Sequence, residues 1–221
     1  MKRIVCAFSI LGLLVLMHPY VSSAQEEQVI KLPPPQMEGG KPLMQALKLR
    51  KSTRGDFGLN TKLSMQVLSN LLWAANGVNR PDDYRTAPSA VNWKNIDIYV
   101  TTEDGLFLYD APNHNLKVLG KEDVRAVSGQ QPFVNTAPLN LIYVADFAKA
   151  TFPGANEPAP TAETWSYAGV GFIAQNVYLF CASENLACIV RAMADADAIA
   201  KTLKLRPDQK FLLAQTVARF K

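Results

Sequence analysis

Apolar positions recur at helical spacing through Leu43, Ala46 and Leu47, with Arg50 closing the row, and predict a short first helix whose C-terminal end is cationic. Ser64 stands where an N-cap belongs, and Val67, Leu68, Leu71, Leu72 and Ala75 carry a broad apolar stripe that stops at Gly77. Periodicity then vanishes over "VNRPDDYRTAPSAVN", 78–92, which reads as a long loop; loops of that length in compact domains are usually functional or disordered. Alternation returns in "NIDIYVTT" (95–102), "LFLYD" (106–110) and "LKVLG" (116–120), a β-meander with turns at Glu103-Asp104-Gly105 and "APNHN".

Farther along, a short helix is expected from Lys121 to Val127, then an apolar strand, "LNLIYVAD" (139–146). The Pro-rich stretch 147–164 reads equally as a lid or as a surface excursion. Residues 165–183 form a helix with apolar residues on most sides and only Gln175 and Asn176 polar near its middle; such a helix is buried or packs on another subunit. A strand at 186–192, an amphipathic helix at 195–205 begun by the capping residues Asp195 and Asp197, and a closing strand at 210–220 complete the pattern. The order of elements indicates one α+β domain over 43–221, a mixed central sheet flanked by helices. Ahead of it, residues 25–42 hold a Pro triplet and a Gly pair and read as an extended arm.

The first 24 residues change the picture of where this domain works. A basic start, an apolar stretch from Ile4 to Met17 and small residues ending at Ala24 make a secretory signal peptide, implying a periplasmic or secreted protein. The alternative is a retained anchor, the only membrane contact the sequence suggests. Cys6 lies at the start of the apolar run rather than behind it, which argues against a lipoprotein. Losing Lys2 and Arg3 lowers the formal net charge from +4 to +2, too little for nucleic-acid binding by bulk charge. Cys181 and Cys188 are the remaining cysteines, either two buried thiols or a disulfide across the turn between them.

Common catalytic signatures are missing: no GxSxG, GxxxxGKS or GxGxxG occurs, and no metal-spaced set of Cys or His. His114, the one histidine beyond the signal, lies between two asparagines and reads as a solvated turn residue, which argues against a hydrolase with a His base and against a zinc shell. Asp82-Asp83 and Glu103-Asp104 read as solvated turn carboxylates. An enzyme so poor in its own acids, bases and nucleophiles would draw its chemistry from a cofactor. Arg50, Ser52 and Arg54 alternate, so in an extended segment two guanidinium forks would flank a hydroxyl on one side, a phosphate-binding geometry, with Lys51 on the other. The plain alternative is a basic helix end that complements the dipole. Small residues at Ala87, Ser89 and Ala90 around Pro88 would let a flat ring approach the backbone.

In order, "RKSTRGDF" (50–57), "LSNLLWAANGVNR" (68–80), "RTAPSAVN" (85–92), "SGQQPFVNTAPLNLIYVAD" (128–146) and "YAGVGFIAQNVYL" (167–179) resemble the nitroreductase family of flavin enzymes, in the branch with a Trp-Ala-Ala-x-Gly helix end and an Ala-Pro-Ser-Ala loop. The likeness implies a nitroreductase-like, FMN-dependent fold and a homodimer with both sites at the interface. It implies that Arg50, Ser52 and Arg54 hold the FMN phosphate and ribityl chain, and that Pro88, Ser89, Ala90 and Asn92 reach the isoalloxazine from the partner subunit. Gln130 or its neighbour Gln131 would bond the pyrimidine edge, Val190, Arg191 and Ala192 would lie near flavin N5, and Lys221 would reach the phosphate. The activity implied is hydride transfer from NAD(P)H or another donor, through the flavin, to a small flat acceptor such as a nitroaromatic or quinone; azoline-oxidising members share the pattern. "SENLACIVRAM" lacks the family's usual glycines, and the closing strand ends without its Gly-Tyr-Pro turn. The alternative is a non-catalytic binding or structural protein on the same fold.

Overall fold

A computed structural model describes residues 28–59 and 61–221; the signal segment expected at 1–24 lies outside them. The elements run β1 (Val29–Lys31), α1 (Leu43–Leu49), β2 (Phe57–Gly58), α2 (Met65–Asn76), β3 (Val78–Arg80), β4 (Tyr84–Arg85), β5 (Ile96–Thr102), β6 (Gly105–Asp110) and β7 (Asn115–Gly120). They continue with β8 (Leu139–Asp146), α3 (Ala162–Ser183), β9 (Leu186–Arg191), α4 (Ala196–Leu203) and β10 (Gln209–Phe220).

The main sheet has the order β1-β7-β6-β5-β8-β10-β2, with β9 on the other side of β10. The α+β class agrees with the sequence pattern. The pairings of this sheet are antiparallel rather than mixed, because the last strand inserts between β8 and β9 and runs against both. Side chains alternate across the sheet with period two. Ile98, Val100, Leu141 and Tyr143 meet Leu71 and Leu72 of α2 and Val170, Ile173 and Val177 of α3 on one face. Tyr99, Ile142 and Val144 meet Ile199 and Leu203 of α4 on the other. β8 is therefore buried on both faces, which explains the unbroken apolar run from Leu141 to Ala145.

Local chemistry sets the helix ends. Ser64 Oγ accepts from the Val67 amide at 3.3 Å, and Gly77 closes α2 on the Trp73 carbonyl at 2.7 Å. A Cβ on Gly77 would fall 2.5 Å from the Trp73 ring, so no larger residue fits there without displacing it. Asp195 caps α4, its carboxylate accepting from the Asp197 and Ala198 amides. The helix expected at 121–127 is instead a bend followed by a 3-10 turn at Arg125–Ser128. There the Asp123 carboxylate takes both the Arg125 amide (3.1 Å) and its guanidinium (2.7 Å), leaving no helical ladder to propagate.

Three other expectations change. The extended arm contributes an edge strand, β1, paired with β7. The long loop contains the β3–β4 hairpin, turned by Asp82 and Asp83 in left-handed conformation (φ 65° and 56°). His114 is a link rather than a solvated turn residue: its ring meets Ser69 of α2 at 2.8 Å through Nε2 and Tyr109 of β6 at 3.0 Å through Nδ1. The stretch after β8 folds back on itself, with Thr151 bridged to Pro158 and pinned by Trp93 Nε1 on the Thr151 carbonyl at 2.7 Å. No helix among the described residues is long and apolar enough to cross a membrane.

Candidate functional site

α1 ends at Arg50, whose amide still reaches the Ala46 carbonyl at 2.8 Å while its ψ has already become extended. The chain then runs beside β9. Thr53, nearly buried, donates its amide to the Cys188 carbonyl at 2.9 Å and turns inward, so Ser52 and Arg54 flank it on the outer side. Ser52 Oγ meets the Tyr178 hydroxyl of α3 at 2.9 Å, and that hydroxyl accepts the Val190 amide at 2.8 Å. Tyr178 thus ties the cationic segment to the end of β9.

The Arg50 guanidinium lies 5.3 Å from the Tyr178 ring centre, and the Lys51 ammonium 5.1 Å from that of Phe220. Lys48, Arg50 and Lys51 together line a hollow of about 600 Å³ whose wall contains no carboxylate. Lys51 therefore faces the same space as Arg50 rather than the opposite side. The alternation assumed from sequence fails because Arg50 is still bound to the helix and only Ser52 onward follows β9. Arg54 is exposed, without a hydrogen bond or ion pair among the described residues. Lys221 adjoins this segment, donating its amide to the Asp56 carbonyl at 3.1 Å.

The segment 128–131 meets β9 at its far end. Gln130 donates its amide to the Met193 carbonyl at 3.2 Å, so the residues expected at the pyrimidine edge and at N5 are neighbours. Arg191 turns its side chain inward. Its guanidinium donates to the Ser128 carbonyl (2.6 Å), Asn140 Oδ1 (3.1 Å) and Thr216 Oγ1 (2.8 Å), and burial lowers its pKa to about 10. Arg191 Nε and Gln131 Oε1 are buried without a hydrogen-bond partner. A Cβ on Gly129 would fall 1.9 Å from Arg191 Nη1, which is why that position is glycine.

Pro88, Ser89, Ala90 and Asn92 lie elsewhere. Pro88 and Ser89 border a small hollow against Gly169 and Ile173 of α3, while the cationic hollow lies at Tyr178 and Cys181. Ser89 Oγ accepts the Lys94 amide at 3.1 Å, closing a loop in which Val91, Asn92 and Lys94 all have positive φ (46°, 57° and 52°). For β-branched Val91, half exposed, this is a strained conformation of the kind that clusters at functional sites.

Asp83 is held below its usual carboxylate range: burial pushes it up, and hydrogen bonds and charge from Arg85 and Lys94 more than offset this. Cys181 and Cys188 are free, buried thiols, and burial together with the neighbouring Cys188 pushes the Cys181 thiol up. Such thiols are poor nucleophiles. Sequence reasoning missed Tyr178 because its helix reads as plain core; the signal was a hydroxyl in a nearly all-apolar segment, which needs a partner when buried.

The nitroreductase family model matches residues 47–219. A candidate nitroreductase of Methanocaldococcus jannaschii is 28% identical over 158 residues, spanning 66% of this chain and 77% of that protein. Among solved structures, a candidate nitroreductase of Ralstonia eutropha is 41% identical, with a TM-score of 0.80 over 88% of this chain and 90% of its own. Another, from Desulfovibrio desulfuricans and solved in complex with FMN, shares the fold at 17% identity and a TM-score of 0.56, over 81% of this chain and 87% of its own.

Proposed function

The chain belongs to the nitroreductase family, and on that premise we propose that it is an exported, homodimeric, FMN-dependent oxidoreductase. The observation that carries the proposal is the Ser52–Tyr178–Val190 connection, which joins an acid-free cationic hollow to the strand end beside Gln130 and Arg191. The residues suit the cofactor: the hollow offers Arg50 and Lys51 to a phosphate, and Ser52, bonded to the Tyr178 hydroxyl of its wall, is offered to the ribityl chain, with Arg54 and Lys221 close by in the same segment and its neighbour. The orphaned Gln131 Oε1 suits a pyrimidine N–H, and the volume lies within the ~300–1,000 Å³ usual for such sites. When bound, flavin supplies hydride transfer at N5.

The protein's own residues then bind and position. The backbone from Val190 to Ala192 presents the strand end to the flavin ring, and Tyr178 fixes its distance from the phosphate clamp. Because Pro88–Asn92 lies away from this hollow within one chain, the loop completes the site of a second copy. The exposed Trp165, Tyr167 and Phe172 of α3, with Leu43 and Met44 of α1, supply the apolar surface for that pairing. The donor is a reduced nicotinamide, NADH or NADPH, and the acceptor a small flat molecule such as a nitroaromatic or quinone. Export rests on the signal-like residues 1–24.

The test is to purify the chain from residue 25, add FMN, and follow flavin absorbance together with nicotinamide oxidation in the presence of a nitroaromatic or quinone. One flavin per chain in a dimer, with acceptor-dependent turnover, is expected. A protein that retains no added FMN refutes the proposal.

A further inference from the structure

Among the described residues, two guanidinium groups are nearly buried, those of Arg125 and Arg191. Arg125 has Asp123 at 2.7 Å. Arg191 has no carboxylate within ion-pair distance among the described residues; a carbonyl, an amide and a hydroxyl hold it, and Nε holds nothing. Beside it the Phe133 ring, 6.0 Å from Cζ and stacked on Phe57 at 4.7 Å, keeps water away. A buried charge without a countercharge is destabilising. Here the neutral acceptors on β8 and β10 keep the group charged and fixed, and the cost falls on the strand end that presents Val190 to Ala192. A cation in such a setting is weakly screened, so its field extends to whatever binds against that strand.

We propose that Arg191 is the countercharge for the reduced form of the bound flavin, a positioning residue that acts through its field without touching the reacting atoms. The inference rests on the flavin reading given above. Reduction adds two electrons and one proton to the neutral ring, the electrons coming from dithionite in the test below, and leaves one net negative charge at the pyrimidine edge. A fixed cation nearby stabilises that product and not the oxidised ring, and so favours reduction.

The experiment is a dithionite titration of the FMN-loaded chain against a reference dye. Arg191→Met keeps an unbranched side chain and removes the charge. Asn140→Asp keeps the acceptor for Nη2 and Thr216 and neutralises Arg191 in place, losing only the Asn140 Nδ2 bond to the Val134 carbonyl. Both are expected to weaken the preference for reduced over oxidised flavin about tenfold, about 30 mV for a two-electron couple. Arg191→Lys, which keeps the charge, is expected to retain most of the wild-type potential, an outcome a merely structural role would not produce. If Arg191→Met fails to fold, Asn140→Asp decides. Flavin-loaded variants with the wild-type potential overturn this inference alone; a wild-type chain that takes up no FMN overturns it together with the flavin reading.

Discussion

Replacing Arg50 and Lys51 together by Ala tests the cationic hollow as a phosphate clamp, and the structure sets two magnitudes against each other. Without ligand, each side chain has only a ring contact, Arg50 on Tyr178 and Lys51 on Phe220, at 5.3 and 5.1 Å. Contacts of this kind at accessible sites contribute about 0.5–1 kcal/mol each. The double variant should therefore lose no more than about 1–2 kcal/mol of folding stability. If both cations bond a phosphate, each charged hydrogen bond contributes about 1.5–3 kcal/mol. FMN affinity should then fall by about 10²–10⁴-fold, at 1.4 kcal/mol per tenfold. Quenching of flavin fluorescence on titration measures the affinity, and urea unfolding of the ligand-free chain measures the stability. Riboflavin, which lacks the phosphate, serves as control and should bind wild type and variant with similar weakness. A double variant whose FMN affinity stays within about threefold of wild type, while its stability drops as expected, would show that the cations only cover two rings, and the clamp would be refuted.

Tyr178→Phe leaves the Val190 amide unpaired and frees Ser52; it should cost about 1–3 kcal/mol in thermal unfolding and weaken FMN binding as well, and a variant with unchanged FMN affinity would show that the connection is purely structural. His114 is held below the usual imidazole pKa, burial outweighing its bond to the Pro33 carbonyl. Its neutral form therefore stabilises the fold above pH ~6.5, and that contribution declines as pH falls, since the unfolded chain takes up the proton first. His114→Asn, which tolerates the left-handed backbone there (φ 47°), removes the titration. The urea midpoint of wild type relative to this variant should fall between pH 7.5 and 5, and a constant difference would sink the assignment.

Where a segment's environment is set by its own periodicity, the sequence displayed it. α2 with its Ser64 and Gly77 ends, the meander, and β8 from Leu139 to Asp146 could all be read from spacing, because each buries a face or faces that recur along the chain. Features made by partners distant in sequence could not be read in this way. β1 exists because β7 offers an edge, and His114 is half-buried and tied in because Ser69 and Tyr109 reach it from two other elements.

The candidate site divides along the same line. The cations of 48–54 are visible as composition, but which of them share a hollow depends on Arg50 keeping its helical bond to Ala46 and on Thr53 locking onto Cys188. Arg191 is the sharpest case. Strand alternation alone gives its side chain a face of the sheet, where an unpaired charge would be excluded. Only Asn140 on β8, Thr216 on β10 and the Ser128 carbonyl, with Gly129 leaving the space, make a guanidinium tenable there. A residue that needs support from three separated stretches of the chain to remain charged would be simpler as an apolar one, unless its charge is used. The redox titration of the Arg191 variants decides whether the departure from the family's usual residues at this strand end serves the bound flavin.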